Sequence, residues 1–219
     1  MVLLKEKLIM KMQLNMYKLL VPILILLSIN AFAQKDTVIN NGLYTVTYSQ
    51  KYKLPLMVQY KLYKGGGECK RSTLHSFVSY SFTANRKDYA KSGFDQGHMA
   101  NAEDFAYSCI LEALTFFETN VVPQSHGLNA GIFKVYETDT RKLSQLDSLG
   151  VAYINIPSTV TIGNGVNIPY CTYKIVQSLT TKKIVTLVKF TDLPALHLPL
   201  EITEIPNIEK QVGYKIKLK

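Results

Sequence analysis

Tryptophan is missing from this sequence, and cysteine occurs only three times in 219 residues. Without tryptophan, an adhesive or carbohydrate-binding module built on large exposed rings is a poor fit. Cys69, Cys109 and Cys171 form no C-x-x-C pair, which argues against a thiolate zinc site or a dithiol redox motif. An odd count allows at most one internal bridge and leaves one thiol free. Charged residues are scarce at 19% and hydrophobic ones reach 47%, a balance that excludes a disordered chain. Internal repeats, low-complexity tracts and long linkers are also lacking. Gly65-Gly66-Gly67 has no lysine and hydroxyl at phosphate-loop spacing, so it reads as a flexible turn.

What is present begins with a basic N-terminus. Lys5, Lys7, Lys11 and Lys18 precede the apolar run LLVPILILLSINAFA, which ends in Ala31-Phe32-Ala33. Basic, then apolar, then small-x-small is the pattern of a secretory signal over residues 1–33. The run is short for a bilayer span and is interrupted by Pro22 and Asn30. No cysteine follows to carry a lipid, and Met10, Met12 or Met16 are alternative starts. The expectation is a secreted or periplasmic protein of residues 34–219, without stable membrane association after cleavage. Losing four lysines and Glu6 leaves 21 basic and 15 acidic residues, a net +6. That surplus suits a polyanionic partner, though it is also common on ordinary surfaces. Export permits a disulfide without requiring one.

Alternation and β-branched content predict strands at LYTVTYS, LMVQYKLY, VAYINI, CTYKIVQSL, KIVTLVKF and GYKIKL. Two helices are predicted. One runs from about Ser108 to Leu114, with Ser108 as its cap. The other runs from about Leu128 to Leu146, with Ile132, Val135, Tyr136 and Leu143 on its apolar stripe. Strands, helices, then strands again describe an α+β domain on a central antiparallel sheet flanked by helices.

On the long helix, Glu137 lies about 80° and Arg141 about 120° round from Asn129. An amide oxygen, a carboxylate and a guanidinium therefore share one side. Taken alone, this is a solvated face with one i,i+4 pair. The neighbouring segments change that reading. Asp95-Gln96-Gly97-His98 is followed by Thr115-Phe116, Asn120, Pro123-Gln124, Leu128-Asn129-Ala130-Gly131, Glu137 and Arg141. In order and spacing this resembles the DNA/RNA non-specific endonucleases, a ββα-metal (His-Me finger) family. That family carries an Asp-Arg-Gly-His loop. The resemblance is tight over residues 92–141 and looser beyond. One residue departs from the pattern: Gln96 stands where the family has arginine.

The resemblance implies a ββα-metal fold and metal-dependent phosphodiester hydrolysis in DNA and RNA. A neutral histidine can take a proton from water near neutral pH, a role that falls to His98. Asn129 would be the one direct ligand of a Mg²⁺ ion, with Mn²⁺ as a substitute, and Glu137 would hold the metal's waters from behind. Asn120 would support the histidine or the substrate, or serve simply as a turn residue. Arg141 and Arg71 would contact phosphate, and Gln96 keeps a neutral donor for it. Asp95 would position the loop. His75, His126 and His197 read as surface or structural residues, Lys182-Lys183 as a hairpin turn, and Cys171 as a buried small residue. The competing expectation is a nucleic-acid-binding protein whose catalysis is weakened by Gln96. A homodimer is left open.

Overall fold

The computed structural model describes residues 36–69, 76–192, 205–216 and 218. The expected signal segment, Lys70, Arg71, His75 and His197 lie outside them.

In chain order the strands are β1 (Thr37–Asn40), β2 (Tyr44–Ser49), β3 (Leu54–Leu62), β4 (Phe94–His98), β5 (Val121–Ser125), β6 (Leu149–Ile162), β7 (Val166–Ser178) and β8 (Ile184–Phe190). The helices are α1 (Arg86–Tyr89), α2 (Cys109–Ala113), α3 (Lys134–Ser144) and α4 (Ile205–Val212). Six strands form one antiparallel sheet in the order β1-β2-β3-β6-β7-β8, and β4 pairs with β5 in a separate ribbon. This is the α+β architecture expected.

Period-two alternation sorts the side chains. Tyr44, Val46 and Tyr48 of β2 are buried, as are Val58, Tyr60 and Leu62 of β3. They share a cluster with Val151 and Tyr153 of β6 and Val176 of β7, against Met99, Phe105 and Phe133. The opposite face, with Ile154, Tyr173 and Ile175, is covered by Ile208 of α4. Covered on both sides, β7 is buried at nearly every position. Each such aliphatic or aromatic side chain contributes about 1.5–3 kcal/mol. Lys182, at φ +62°, closes the β7–β8 hairpin.

Four expectations need correction. Residues 94–98 form strand β4 rather than a loop, in register with β5 from Phe94↔Ser125 to His98↔Val121. Its polar and glycine residues hide the strand in the sequence. The long helix is not continuous. Leu128–Phe133 forms a π-helical turn, Gly131 leaves helical geometry at φ −97° and ψ −114°, and the α-helix starts only at Lys134. The described residues of GYKIKL, 213–216 and 218, form no strand. Gly213, at φ +77°, ends α4, and the Glu209 carboxylate takes the Ile216 N–H that a neighbouring strand would otherwise have bonded.

The triple glycine, finally, is a packed contact. Gly66 N–H donates to Asp104 O at 3.4 Å and Cys69 N–H to Ala106 O at 2.9 Å. Gly67 sits at φ +143°, and a Cβ there would lie 2.3 Å from the Ala106 carbonyl carbon. Just beyond, Cys69 and Cys109 form a disulfide with Cα atoms 5.3 Å apart. Of the three pairings open to the sequence this one is used, and Cys171 stays free and buried. A bridge spanning 40 residues stabilises by about 4 kcal/mol in the chain-entropy view. Gly67→Ala meets both backbone strain and a clash, so it should cost about 2 kcal/mol or more. For a domain of this size that lowers Tm by about 4–8 °C. A melting curve of the variant checks this, and an unchanged Tm would contradict the close approach.

Candidate active site

The β4–β5 ribbon presents Gln96 and His98 on one strand face, two residues apart. Both line a cleft of about 600 Å³, whose far wall carries Asn129, Glu137 and Arg141. Phe77, Phe116, Asn101, Glu103, Ala130 and Lys134 complete the lining. The structure therefore brings together five of the residues singled out from the sequence.

His98 is the last residue of β4 and only 8% exposed. Its ring packs 4.9 Å from Phe77 and edge-on to Phe116 at 4.8 Å, which fixes its plane. Asn120 holds the chain beyond it. The Asn120 Oδ1 accepts from Ala100 N–H at 2.8 Å, and Nδ2 donates to Ala100 O and Thr115 O at 2.9 Å each. The Asn120 backbone carbonyl accepts from Met99 N–H at 2.9 Å. Fully buried, Asn120 ends the 3₁₀ turn Glu118–Asn120 and spends its side chain on the backbone beyond His98. Gly97 is required by packing: a Cβ there would lie 1.9 Å from the Gln124 Oε1. The glycine of the Asp-x-Gly-His run thus lets the Gln124 side chain cross the ribbon.

Asn129 sits in the π-helical turn and donates Nδ2–H to Asp95 Oδ2 at 3.1 Å. With its nitrogen committed, the carbonyl oxygen is the end left for a ligand. The same Asp95 oxygen is 2.9 Å from Nδ1 of the exposed His126. Asp95 thus positions the amide of Asn129, a more specific task than positioning a loop.

The predicted apolar stripe is only partly borne out. Tyr136 packs against Phe190 of the core, but Ile132, in the π-helical turn, and Val135 and Leu143 of α3 are exposed, whereas Glu137, Thr140 and Ser144 are buried. The solvated-face reading therefore fails. Glu137 is 8% exposed, and burial pushes its carboxyl up from the usual range, offset by a hydrogen bond from Asn101 and by Lys174. Arg141 does not pair with Glu137. Its Nη1–H donates to Asp104 Oδ1 at 3.0 Å, and Nη2–H to Thr138 Oγ1 at 3.3 Å. Asp104 Oδ2 accepts from the Tyr60 hydroxyl at 2.7 Å. Burial pushes Asp104 up, while Tyr60 and Arg141 pull it back. A guanidinium has five N–H groups, so Arg141 keeps donors for the cleft while its position is fixed by Asp104.

Several residues at or behind the site escaped the sequence reading, among them Asp104, Lys174 and Glu118. Lys174 is buried in β7 with its amine donating to Tyr136 O at 3.0 Å. Burial pushes that amine down, and Asp104 and Glu137 pull it back up. The available signal was a single charge inside an otherwise apolar strand run. Glu118 is 1% exposed and accepts from Gln96 Nε2–H at 2.7 Å. Burial pushes its carboxyl up to about 7. Gln96 thus already has one N–H in use, which leaves its second N–H as the neutral donor expected for a phosphate. Arg71 lies outside the described residues.

Comparison with known proteins places this geometry. The model of the DNA/RNA non-specific endonuclease family matches residues 27–216. A mitochondrial nuclease EXOG of Danio rerio is 44% identical over 64 residues, which is 29% of this chain and 19% of that protein. The Homo sapiens nuclease EXOG, mitochondrial, is 37% identical over 65 residues, 30% of this chain and 18% of that protein. The matched stretch thus spans under a fifth of these relatives' length. The fold is similar to that of EndoG in its complex with EndoGI, at a TM-score of 0.68 and 20% identity, covering 83% of this chain and 86% of that one. The family match over most of the sequence and the shared fold agree with the cleft: this chain belongs to the DNA/RNA non-specific endonuclease family.

Proposed function

We propose that this protein is a secreted or periplasmic endonuclease that hydrolyses phosphodiester bonds in DNA and RNA with the help of a divalent metal ion. The observation that carries the reading is the convergence of His98, Asn129 and Glu137 on one cleft. Binding alone does not need a histidine held between rings, an amide with its oxygen turned free, and a buried carboxylate together. The signal pattern of residues 1–33 and the Cys69–Cys109 disulfide support an oxidising compartment.

The donor set suits a hard ion. Asn129 offers a carbonyl oxygen and Glu137 a carboxylate, with no thiolate or imidazole cluster beside them among the described residues, as Mg²⁺ or Mn²⁺ prefers. Bound there, the ion supplies charge relief to the scissile phosphate and its leaving 3′ oxygen. The protein's own residues do the rest. His98 accepts the proton of the attacking water at a ring nitrogen while the water oxygen bonds phosphorus and the bond to the 3′ oxygen breaks. Phe77 and Phe116 hold the ring in plane for that transfer. Asp95 keeps the Asn129 oxygen outward, and Glu137 accepts hydrogen bonds from water on the opposite wall. Arg141 offers its remaining N–H groups to a phosphate oxygen.

A weakened nucleic-acid-binding protein is the second reading. It is favoured by one observation: position 96 brings no cation, and its amide is engaged by Glu118.

Nicking of supercoiled plasmid separates the two. The nuclease reading expects relaxation in Mg²⁺, its loss in EDTA, and a roughly 10²- to 10⁴-fold slower His98→Ala. Binding without nicking by the wild type would favour the second reading, and near-normal nicking by a folded His98→Ala would remove the histidine from the mechanism. Asn129→Ala should abolish activity or weaken its Mg²⁺ dependence, because no other direct ligand is proposed. Glu137→Gln should be milder, since an amide still accepts one hydrogen bond. Mg²⁺ titrations of nicking rate test the pair, and parent-like curves for both variants would show that the metal is held elsewhere.

A further inference from the structure

Glu118 is the buried carboxylate that the proposed reaction does not use, and it lies under the wall of the cleft. It opens the short 3₁₀ turn Glu118–Asn120 that leads into β5, and its Oε1 accepts the Gln96 amide N–H at 2.7 Å. Its Oε2 is buried without a hydrogen-bond partner. A carboxylate left half-bonded in the interior is costly, and an apolar side chain would fill the same space at less cost. Space-filling therefore does not account for it. Nor can Glu118 be a cleft ligand, because it is 1% exposed and Gln96 lies between it and the opening.

The chemistry of the contact suggests a task. An ionised carboxylate only accepts hydrogen bonds, whereas a protonated one has an O–H to donate. Against the ionised form, the Gln96 amide must turn its nitrogen inward, as it does here. Its carbonyl oxygen, an acceptor, and its second N–H are then the ends left for the cleft. Phosphate oxygens are acceptors as well, so the carbonyl oxygen opposes them and no more than one N–H is offered. Against the acid form, the Glu118 O–H can donate to the Gln96 oxygen. The amide then rotates and presents N–H groups to the cleft.

Resting on the nuclease reading, we propose that Glu118 is a positioning residue that sets how the Gln96 amide meets the substrate phosphate, taking up one of its N–H groups when ionised and freeing both for the phosphate when protonated. The surroundings allow this to happen near neutrality. Burial, foremost, pushes Glu118 up to about 7, and Asp88 adds to the push. Among the described residues, the titratable groups that face it are Asp88 and Tyr89 of α1 and Tyr48 of β2. Asp88 is occupied by N–H groups of Asn85 and Asn164. Burial holds both phenols well above their ordinary range, so neither ionises near neutral pH. Protonation of Glu118 increases as pH falls, so phosphate binding through Gln96 should strengthen as pH drops through about 7.

Two measurements on the purified protein test this. In ¹⁵N NMR, the Gln96 side-chain amide is assigned by its absence from Gln96→Ala. It should titrate with a midpoint near 7 in the wild type and stay flat in Glu118→Gln, with Glu118→Leu as the second variant should the amide variant fold poorly. In fluorescence anisotropy with a short oligonucleotide in EDTA, the wild type should gain about 3- to 10-fold more affinity than Glu118→Gln between pH 8 and pH 6, the size of one hydrogen bond. That surplus should vanish when Gln96 is alanine in both proteins. A flat Gln96 resonance in the wild type overturns the proposal. So does a surplus that survives Gln96→Ala, which would mean that Glu118 acts through charge alone. The NMR titration needs no nucleic acid, so a normal titration alongside absent nicking sinks the nuclease reading and leaves the Glu118–Gln96 coupling standing.

Discussion

The ion pair between Arg141 and Asp104 is the contact on which the site depends. It lets helix α3 turn its polar side toward the sheet. Asp104, Glu137, Arg141 and Lys174 place two negative and two positive charges in the interior, and breaking one such pair typically costs about 3–5 kcal/mol. Tyr60 closes the set from β3 by donating to the remaining oxygen of Asp104. Because the four charges offset one another, Glu137 can sit nearly buried beside the cleft instead of in water. Ile132, Val135 and Leu143 lie on the exposed side of the helix for the same reason.

The histidine half of the site depends on a different kind of restraint. His98 ends a two-stranded ribbon, which by itself is a marginal structure. Asn120 stiffens it by bonding both backbone groups of Ala100, just after His98, and the Thr115 carbonyl. Close packing adds to this at Gly97, where Gln124 crosses, and at Gly67, where the chain runs against Ala106. The disulfide then fastens the segment after Gly67 to the start of α2. Each restraint is remote from the proposed chemistry, yet together they fix where the histidine ring meets the wall formed by Asn129 and Glu137.

Much of the sheet was legible in the sequence. Alternation located β2, β3 and the cores of β6, β7 and β8, and Ser108 announced α2 through its cap, which accepts from Leu111 N–H. The residues gathered in the cleft were legible through motif order, which survives even where local pattern misleads. Local pattern failed wherever tertiary context decides the outcome. In β4 only Phe94 carries a β signal, and the Asp, Gln, Gly and His that follow it carry none. Of the apolar stripe expected along α3 only Tyr136 packs inward, while Val135 and Leu143 face solvent, because ionic pairing occupies much of the buried side. Asp104, Lys174 and Glu118 carry no motif, and each acquires meaning only from partners 37, 38 and 22 residues away, respectively, in Arg141, Tyr136 and Gln96.

The central claim is that the inward polar side of α3 and the turn before it hold the metal. A Mn²⁺ titration followed by side-chain amide NMR tests it most directly, because a paramagnetic ion broadens the resonances nearest to it. The account predicts that the Asn129 amide broadens first, and that Asn129→Ala loses this site while the fold persists. Broadening that begins at exposed carboxylates such as Asp139 or Asp147, with the Asn129 amide unaffected, would contradict it.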